Sequence, residues 1–270
     1  MDSLLDRPAV HSGEDVLRAL EAMLAKHPEQ AAWLDLHRRI IAAQTAVEEA
    51  LPPLHTPITA ERVRERVEAR QSLFHFDELE IDWPAFQRLL HEVAAIAAPD
   101  LPAPADIPVE RARAWYEGVS PNDELTGFLV GEALRPFLHR APQRAQASRC
   151  ENHDGDSGCC PTCGGPPNFA TLDRNARRLF CARCDTGWRY RRIGCPFCGT
   201  EDPRKLAYYP SEDGVHRLYV CDGCGGYLKT LDRRETSRPF ALAVERLLTV
   251  GMDLAAVELG NQDCASGEER

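Results

Sequence analysis

The sequence predicts a multidomain α and β chain: an all-α helical body, two tandem four-cysteine β-hairpin modules, and a closing C-terminal helix. Three observations carry this expectation. Through the first 140 residues apolar side chains recur at three-to-four spacing, the period of a helix with one buried face. Eight of the eleven cysteines fall in four Cys-x-x-Cys pairs between residues 160 and 224. After Thr236 a helical apolar stripe returns.

The helical elements follow in order. "EDVLRALEAMLAKHP" puts Val16, Leu17, Leu20, Met23 and Leu24 on one stripe, which Pro28 interrupts. "AAWLDLHRRIIAAQTAVEEAL" continues with Trp33, Leu36, Ile40, Val47 and Leu51. Thr59 and Asp82 stand where helix N-caps are expected, the second helix running through Phe86, Leu89, Leu90 and Val93. "SPNDELTGFLVGEALRPFL" starts with Ser120 as cap and Pro121 at the first helical position, and Pro136 is expected to kink or end that helix. The stretch 141–158 is small, polar and aperiodic, which reads as a linker. The last helix carries Phe240, Val244, Leu247, Leu248 and Leu254 and is closed by Gly260. The expected division is therefore 1–140 helical, 141–158 linker, 159–194 first module, 195–235 second module, 236–260 a C-terminal helix on the helical body, and 261–270 tail.

The two modules are one unit written twice. "CPTCGGPPNFATLDRNARRLFCARC" and "CPFCGTEDPRKLAYYPSEDGVHRLYVCDGC" share a Cys-Pro-x-Cys-Gly turn, a strand, a polar turn, a second strand and a second Cys-x-x-Cys. The first two cysteines are offset by 35 residues and the last two by 40, so one five-residue lengthening of the hairpin accounts for the difference. A Cys-x-x-Cys turn converges two thiolates, and the glycine after it allows positive φ. Two such turns close a tetrahedral S₄ site suited to zinc or iron. Modules this small bury too little apolar surface to fold alone, so metal binding supplies folding energy. The expected ligand sets are Cys160, Cys163, Cys181 and Cys184, then Cys195, Cys198, Cys221 and Cys224; interleaved pairing satisfies the same spacings. Cys150, Cys159 and Cys264 fall outside the scheme. Zinc is the default for such ribbons, and iron is credible because the same turn recurs in rubredoxins.

Composition excludes several classes. Hydrophobic residues make up 43% and charged residues 27% of 270, as in a soluble globular chain. A net charge of −10 argues against a general nucleic-acid or membrane binder. No apolar run approaches the ~18 residues of a membrane span, and the N-terminus lacks an export-signal pattern, so a cytoplasmic location is expected. Paired cysteines in a reducing compartment favour metal over disulfides. Residues 160–235 hold 13 basic and 9 acidic side chains, so a mildly basic module accompanies an acidic body.

The second half resembles the formate dehydrogenase accessory protein family. "CDTGWRYRRIGCPFCG" is similar to that family's join between modules, and "CDGCGGYLKT" to its fourth cysteine pair followed by Tyr-Leu-Lys; "HPEQAAWLDL…Q" at 27–44 resembles a pattern of its first helical region. The resemblance implies two rubredoxin-like subdomains that bind iron, with the eight cysteines as ligands. It also implies a cytoplasmic role in maturing respiratory formate dehydrogenase by binding its catalytic subunit before export. Where such proteins tend to place an acidic pair before "LA…LALD", this chain has "VERLLTVGMDL", keeping Glu245 and Asp253.

Other functions are weaker expectations. HExxH, Gly-x-Ser-x-Gly and phosphate-loop motifs are absent from the sequence, and His216 on a hairpin reads as a packing residue, so no enzyme is expected. Thiol–disulfide exchange would dismantle a four-thiolate site. A rubredoxin-like electron carrier or a ribbon-type adaptor for nucleic acid or protein remains as an alternative. For nucleic acid the signal is Trp188, Tyr190, Tyr208, Tyr209 and Tyr227 beside a net positive module, against which the aromatics serve to cover the small metal modules. Arg189, Arg191 and Arg192 form a basic stretch suited to an acidic protein partner.

Overall fold

A computed structural model describes residues 13–53, 58–119, 123–147, 157–174, 176–237 and 240–260. The expected caps Ser120 and Pro121 lie outside these residues, as do the expected tail, Cys150 and Cys264. The chain divides into two compact units, one of Met1–Thr56 with His75–Ala141 and one of Pro57–Phe74 with Pro142–Arg270.

The first unit is helical: α1 (Gly13–Lys26), α2 (Ala31–Ala50), and, after α3 (Ala60–Glu68) of the second unit, α4 (Trp83–Ala97), α5 (Val109–Tyr116) and most of α6 (Glu124–Ala147). Asp82 caps α4 by accepting from the Ala85 N–H at 2.9 Å, as the sequence predicts. Phe86, Leu89, Leu90 and Val93 are fully enclosed. In α2 the buried set is Leu34, Ile40, Ala43 and Gln44, and Trp33 is 39% exposed, so the buried stripe is turned away from the expected one. The expected kink or stop at Pro136 does not end α6, which runs on through Pro142 and takes up the first residues of the expected linker. Proline at 136 cannot donate to the carbonyl of Glu132. The buried Gln44 amide donates to that carbonyl instead, at 3.0 Å, which explains why the helix survives.

In the second unit Thr59 caps α3 through the Arg62 N–H at 3.2 Å. Six strands follow: β1 (Pro167–Leu172), β2 (Arg177–Cys181), β3 (Gly187–Tyr190), β4 (Leu206–Pro210), β5 (His216–Cys221) and β6 (Tyr227–Asp232). They form one sheet in the order β3-β2-β1-β6-β5-β4. Each half is a three-stranded antiparallel meander, and the two meanders join through a parallel β1–β6 pair, Phe169 opposite Lys229. The two modules are thus halves of a continuous sheet.

The expected single C-terminal helix is two, α7 (Leu242–Leu248) and α8 (Val250–Glu258), broken at Thr249. Both lie on the sheet. Met252 and Ala256 of α8 pack with Leu218, Val220 and Tyr227, and Phe240 packs with Phe169, Phe180 and Leu231. The break rotates the apolar stripe, so Val244 and Leu247 are buried as expected while Leu254 is 65% exposed. Gly260 closes α8 with φ +76°.

Candidate metal centres

Each half of the sheet carries one tight Cys-x-x-Cys turn before its first strand and another at the end of its second. The residue after the second cysteine of every turn has positive φ: Gly164 (+75°), Asp185 (+57°), Gly199 (+74°) and Gly225 (+68°). Glycine takes that conformation freely, and aspartate is among the few other residues that tolerate it. Repeated backbone bonds fix the turns, Gly164 N–H to the Cys160 carbonyl at 2.9 Å and Gly199 N–H to the Cys195 carbonyl at 3.0 Å. Backbone N–H groups face the sulfurs: Arg183 donates to Cys181 Sγ at 3.3 Å, and those of Phe197 and Cys198 point at Cys195.

The turns converge sequentially. Cys160, Cys163, Cys181 and Cys184 form one group and Cys195, Cys198, Cys221 and Cys224 the other, with the sulfurs of each within 4.8 Å of one another. The Cys160–Cys184 and Cys163–Cys181 contacts are 3.6 and 3.5 Å; Cys195–Cys224 and Cys198–Cys221 are 3.5 and 3.8 Å. A tetrahedron with metal–sulfur bonds of about 2.3 Å has edges of about 3.8 Å, so both cages fit one thiolate-bound ion each. Burial pushes the Cys184, Cys195 and Cys221 thiols above the ordinary thiol range. A metal binds cysteine as thiolate, so loading one releases protons from these raised thiols. Cys159 is exposed and outside both groups.

The surroundings differ. All four cysteines of the first group are buried, whereas Cys198 of the second is exposed. Residues 73 and 74, which sequence reading left in the helical body, dock on the first turn. The Leu73 N–H donates to the Pro161 carbonyl at 2.9 Å and the Phe74 N–H to that of Thr162 at 3.0 Å. Both side chains are 1% exposed, and "SLF" between polar neighbours was the one signal that could have marked them.

The stretches quoted for the family resemblance have structural tasks. The Tyr190 hydroxyl donates to the Cys195 carbonyl at 3.0 Å, and Arg191 donates to the Gly199 carbonyl at 3.0 Å and pairs with Glu201. Arg192 donates to the carbonyls of Asp173 and Arg174. Two arginines of the expected docking stretch are therefore engaged in holding the fold, and Arg189 stays exposed. On the other face of the sheet, Lys229 pairs with Asp253 at 2.6 Å, Tyr227 donates to Asp253 at 3.0 Å, and His216 bonds Glu245 at 2.8 Å. The two retained acids are thus anchors of α7 and α8. Trp188, Tyr190 and Tyr227 are buried, in the covering role, and Tyr208 and Tyr209 are about half exposed.

No protein-family model matches the chain. Among curated proteins, it is 30% identical over 148 residues to a FdhE homologue of Aquifex aeolicus, covering 52% of this chain and 50% of that one. It is 32% identical over 90 residues to the FdhE protein of Escherichia coli O157:H7, covering 31% of this chain and 28% of that one. The matches thus span half or less of these curated relatives. The crystal structure of the FdhE protein from Pseudomonas aeruginosa superposes with a TM-score of 0.64 over 94% of this chain and 92% of that one, at 24% identity, and shows the same fold. The chain thus carries two four-cysteine cages on a shared sheet, is similar in sequence to FdhE proteins over part of their length, and shares the fold of one of them.

Proposed function

We propose that each cysteine cage binds one iron ion and that the chain is a cytoplasmic accessory protein, not an enzyme, that binds the catalytic subunit of formate dehydrogenase before export. The observation that carries this reading is the pair of S₄ cages with tetrahedral edge lengths in a chain related to FdhE proteins. Among the described residues no helix is long and apolar enough to cross a membrane, which fits the location. When bound, iron in a thiolate cage supplies one-electron redox chemistry; zinc would supply structure alone.

The exposed Cys198 favours one additional reading, an electron-carrying second site, because electrons enter such centres through a sulfur edge that reaches solvent. Metal analysis with a visible spectrum on protein purified without added metal tests the first part. Two irons with thiolate-to-iron bands are expected; two zincs and no colour defeat the iron assignment. Cys195→Ser with Cys198→Ser is expected to remove one metal and abolish support of formate dehydrogenase activity in cells. Unchanged activity defeats the metal-dependent part.

A further inference from the structure

Side chains alternate across a strand. In β5, Leu218 and Val220 face α8, which leaves Arg217 and Tyr219 on the opposite face. There the sheet carries a cavity of about 260 Å³ beside the second cysteine cage, with walls that include Ile193, Phe197, Leu206 and Leu228. Four arginines also line it: Arg177, Arg192, Arg217 and Arg234. Asp232, wholly buried, pairs with Arg217 at 2.6 Å and with Arg234 at 2.5 Å. No such partner serves Arg177 among the described residues. It is 4% exposed, donates Nη1 to the Gly194 carbonyl at 2.8 Å, and its guanidinium lies over the rings of Tyr190 and Tyr219. Its Nε, like that of Arg217, is buried without a hydrogen bond. Burial lowers its pKa, as expected for a cation deprived of water.

A buried cation without a counter-ion is costly, and one that lines a cavity is relieved by an anion that enters it. Guanidinium matches the planar, two-oxygen carboxylate. At the mouth stand Ile193 (62% exposed) and Tyr208 (50% exposed). A free oxyanion such as phosphate would leave this apolar rim and the Phe197 and Leu206 walls unmatched. We propose that this cleft takes a carboxylate-bearing peptide segment, an Asp or Glu beside an aromatic or aliphatic residue, presented by a partner protein. The carboxylate reaches Arg177, and the apolar neighbour covers Ile193 and Tyr208. The source of the segment rests on the client-binding reading above; the chemistry of the cleft stands on the residues that line it.

The test titrates the metal-loaded full chain with acetyl-Glu-Phe-amide, acetyl-Gln-Phe-amide, inorganic phosphate and a short thymidine oligonucleotide, following arginine Nε–H signals by NMR. The Glu dipeptide is expected to shift the Arg177 and Arg217 signals saturably, at least about tenfold more tightly than the Gln dipeptide. Arg177→Met is expected to abolish this. Because a buried replacement also disturbs packing, Ile193→Glu on the rim is the companion variant, expected to keep the fold and lose the dipeptide. Equal response to the Gln dipeptide, tighter binding of phosphate or oligonucleotide, or no saturable shift into the millimolar range overturns the proposal. Capture of the formate dehydrogenase catalytic subunit separates the two ideas. If Ile193→Glu captures it as wild type does, the docking site is overturned and the client reading stands. If wild type captures none while the Glu dipeptide binds, the client reading fails and the carboxylate preference of the cleft stands.

Discussion

The two cysteine cages are built from the same turns and the same three-stranded meander, yet one is closed and the other open. Around the first, residues 73 and 74 add two backbone hydrogen bonds and two buried side chains, and Arg246 of α7 donates to the Cys181 carbonyl at 2.7 Å and pairs with Asp185 at 2.6 Å. Around the second, Arg191 and Tyr190 hold the turn from one side, and Cys198 meets solvent. The same four-thiol arrangement recurs in both halves; what packs over each copy makes them different. The closed cage is suited to a structural ion, and the open one to exchange with something outside.

The comparison can be broken by removing ligands. Cys181→Ser in the closed cage is expected to abolish ordered structure in the whole sheet unit, since structural metal sites supply on the order of 10 kcal/mol of folding energy. Cys198→Ser is expected to leave the first metal bound and near-UV circular dichroism largely intact. Equal loss of both metals in the two variants would show that the cages do not differ. Phe74→Ala takes a fully enclosed ring off the closed cage, and a loss of about 3–5 kcal/mol in denaturant unfolding is expected; the same variant should bring metal release from the first site toward that of the second.

Chelator challenge of the unaltered chain sharpens the contrast further. Release followed by absorbance is expected in two phases, the faster from the second site by about tenfold or more, the factor that ~1.4 kcal/mol in barrier produces. A single phase counts against the open-and-closed distinction. The smallest effect concerns Asp185, which occupies the positive-φ position that Gly225 fills in the second module. Asp185→Gly eases the backbone but loses the Arg246 partner, so a net change within about 1 kcal/mol is expected in thermal unfolding. A large stabilisation would mean that the ion pair contributes nothing.

How much was legible follows from the range of each interaction. The cysteine turns, the caps at Thr59 and Asp82 and the stop at Gly260 rest on residues within a few positions of one another, and the sequence carries them. The sequential grouping of the turns was expected, but the spacings also satisfied interleaved pairing. The third strand of each meander was overlooked, although Trp188 and Tyr190 alternate across β3 as a half-buried strand requires. Pro136 misled because its remedy lies 92 positions earlier, at Gln44, a residue quoted for family likeness and with no local sign of its task. The parallel β1–β6 join was hidden for another reason. Two meanders offer several edges, and nothing local says which pair will meet. The cleft around Arg177 was invisible because it draws residues from β2, β4, β5 and the join, and the first of two arginines in "NARRLF" gives no sign of lacking an acid.

That join also sets an order of events during synthesis. Phe169 must wait for Lys229, sixty positions later, before the centre of the sheet exists. The first meander has all four of its cysteines once Cys184 has emerged and its last strand once Tyr190 has. One edge of β1, a strand with five of six residues buried in the finished protein, then stays unpaired until the last strand leaves the ribosome. Open apolar edges are where nascent chains associate wrongly. A half-made chain with its first meander formed is therefore still a hazardous one, and protection comes only with β6.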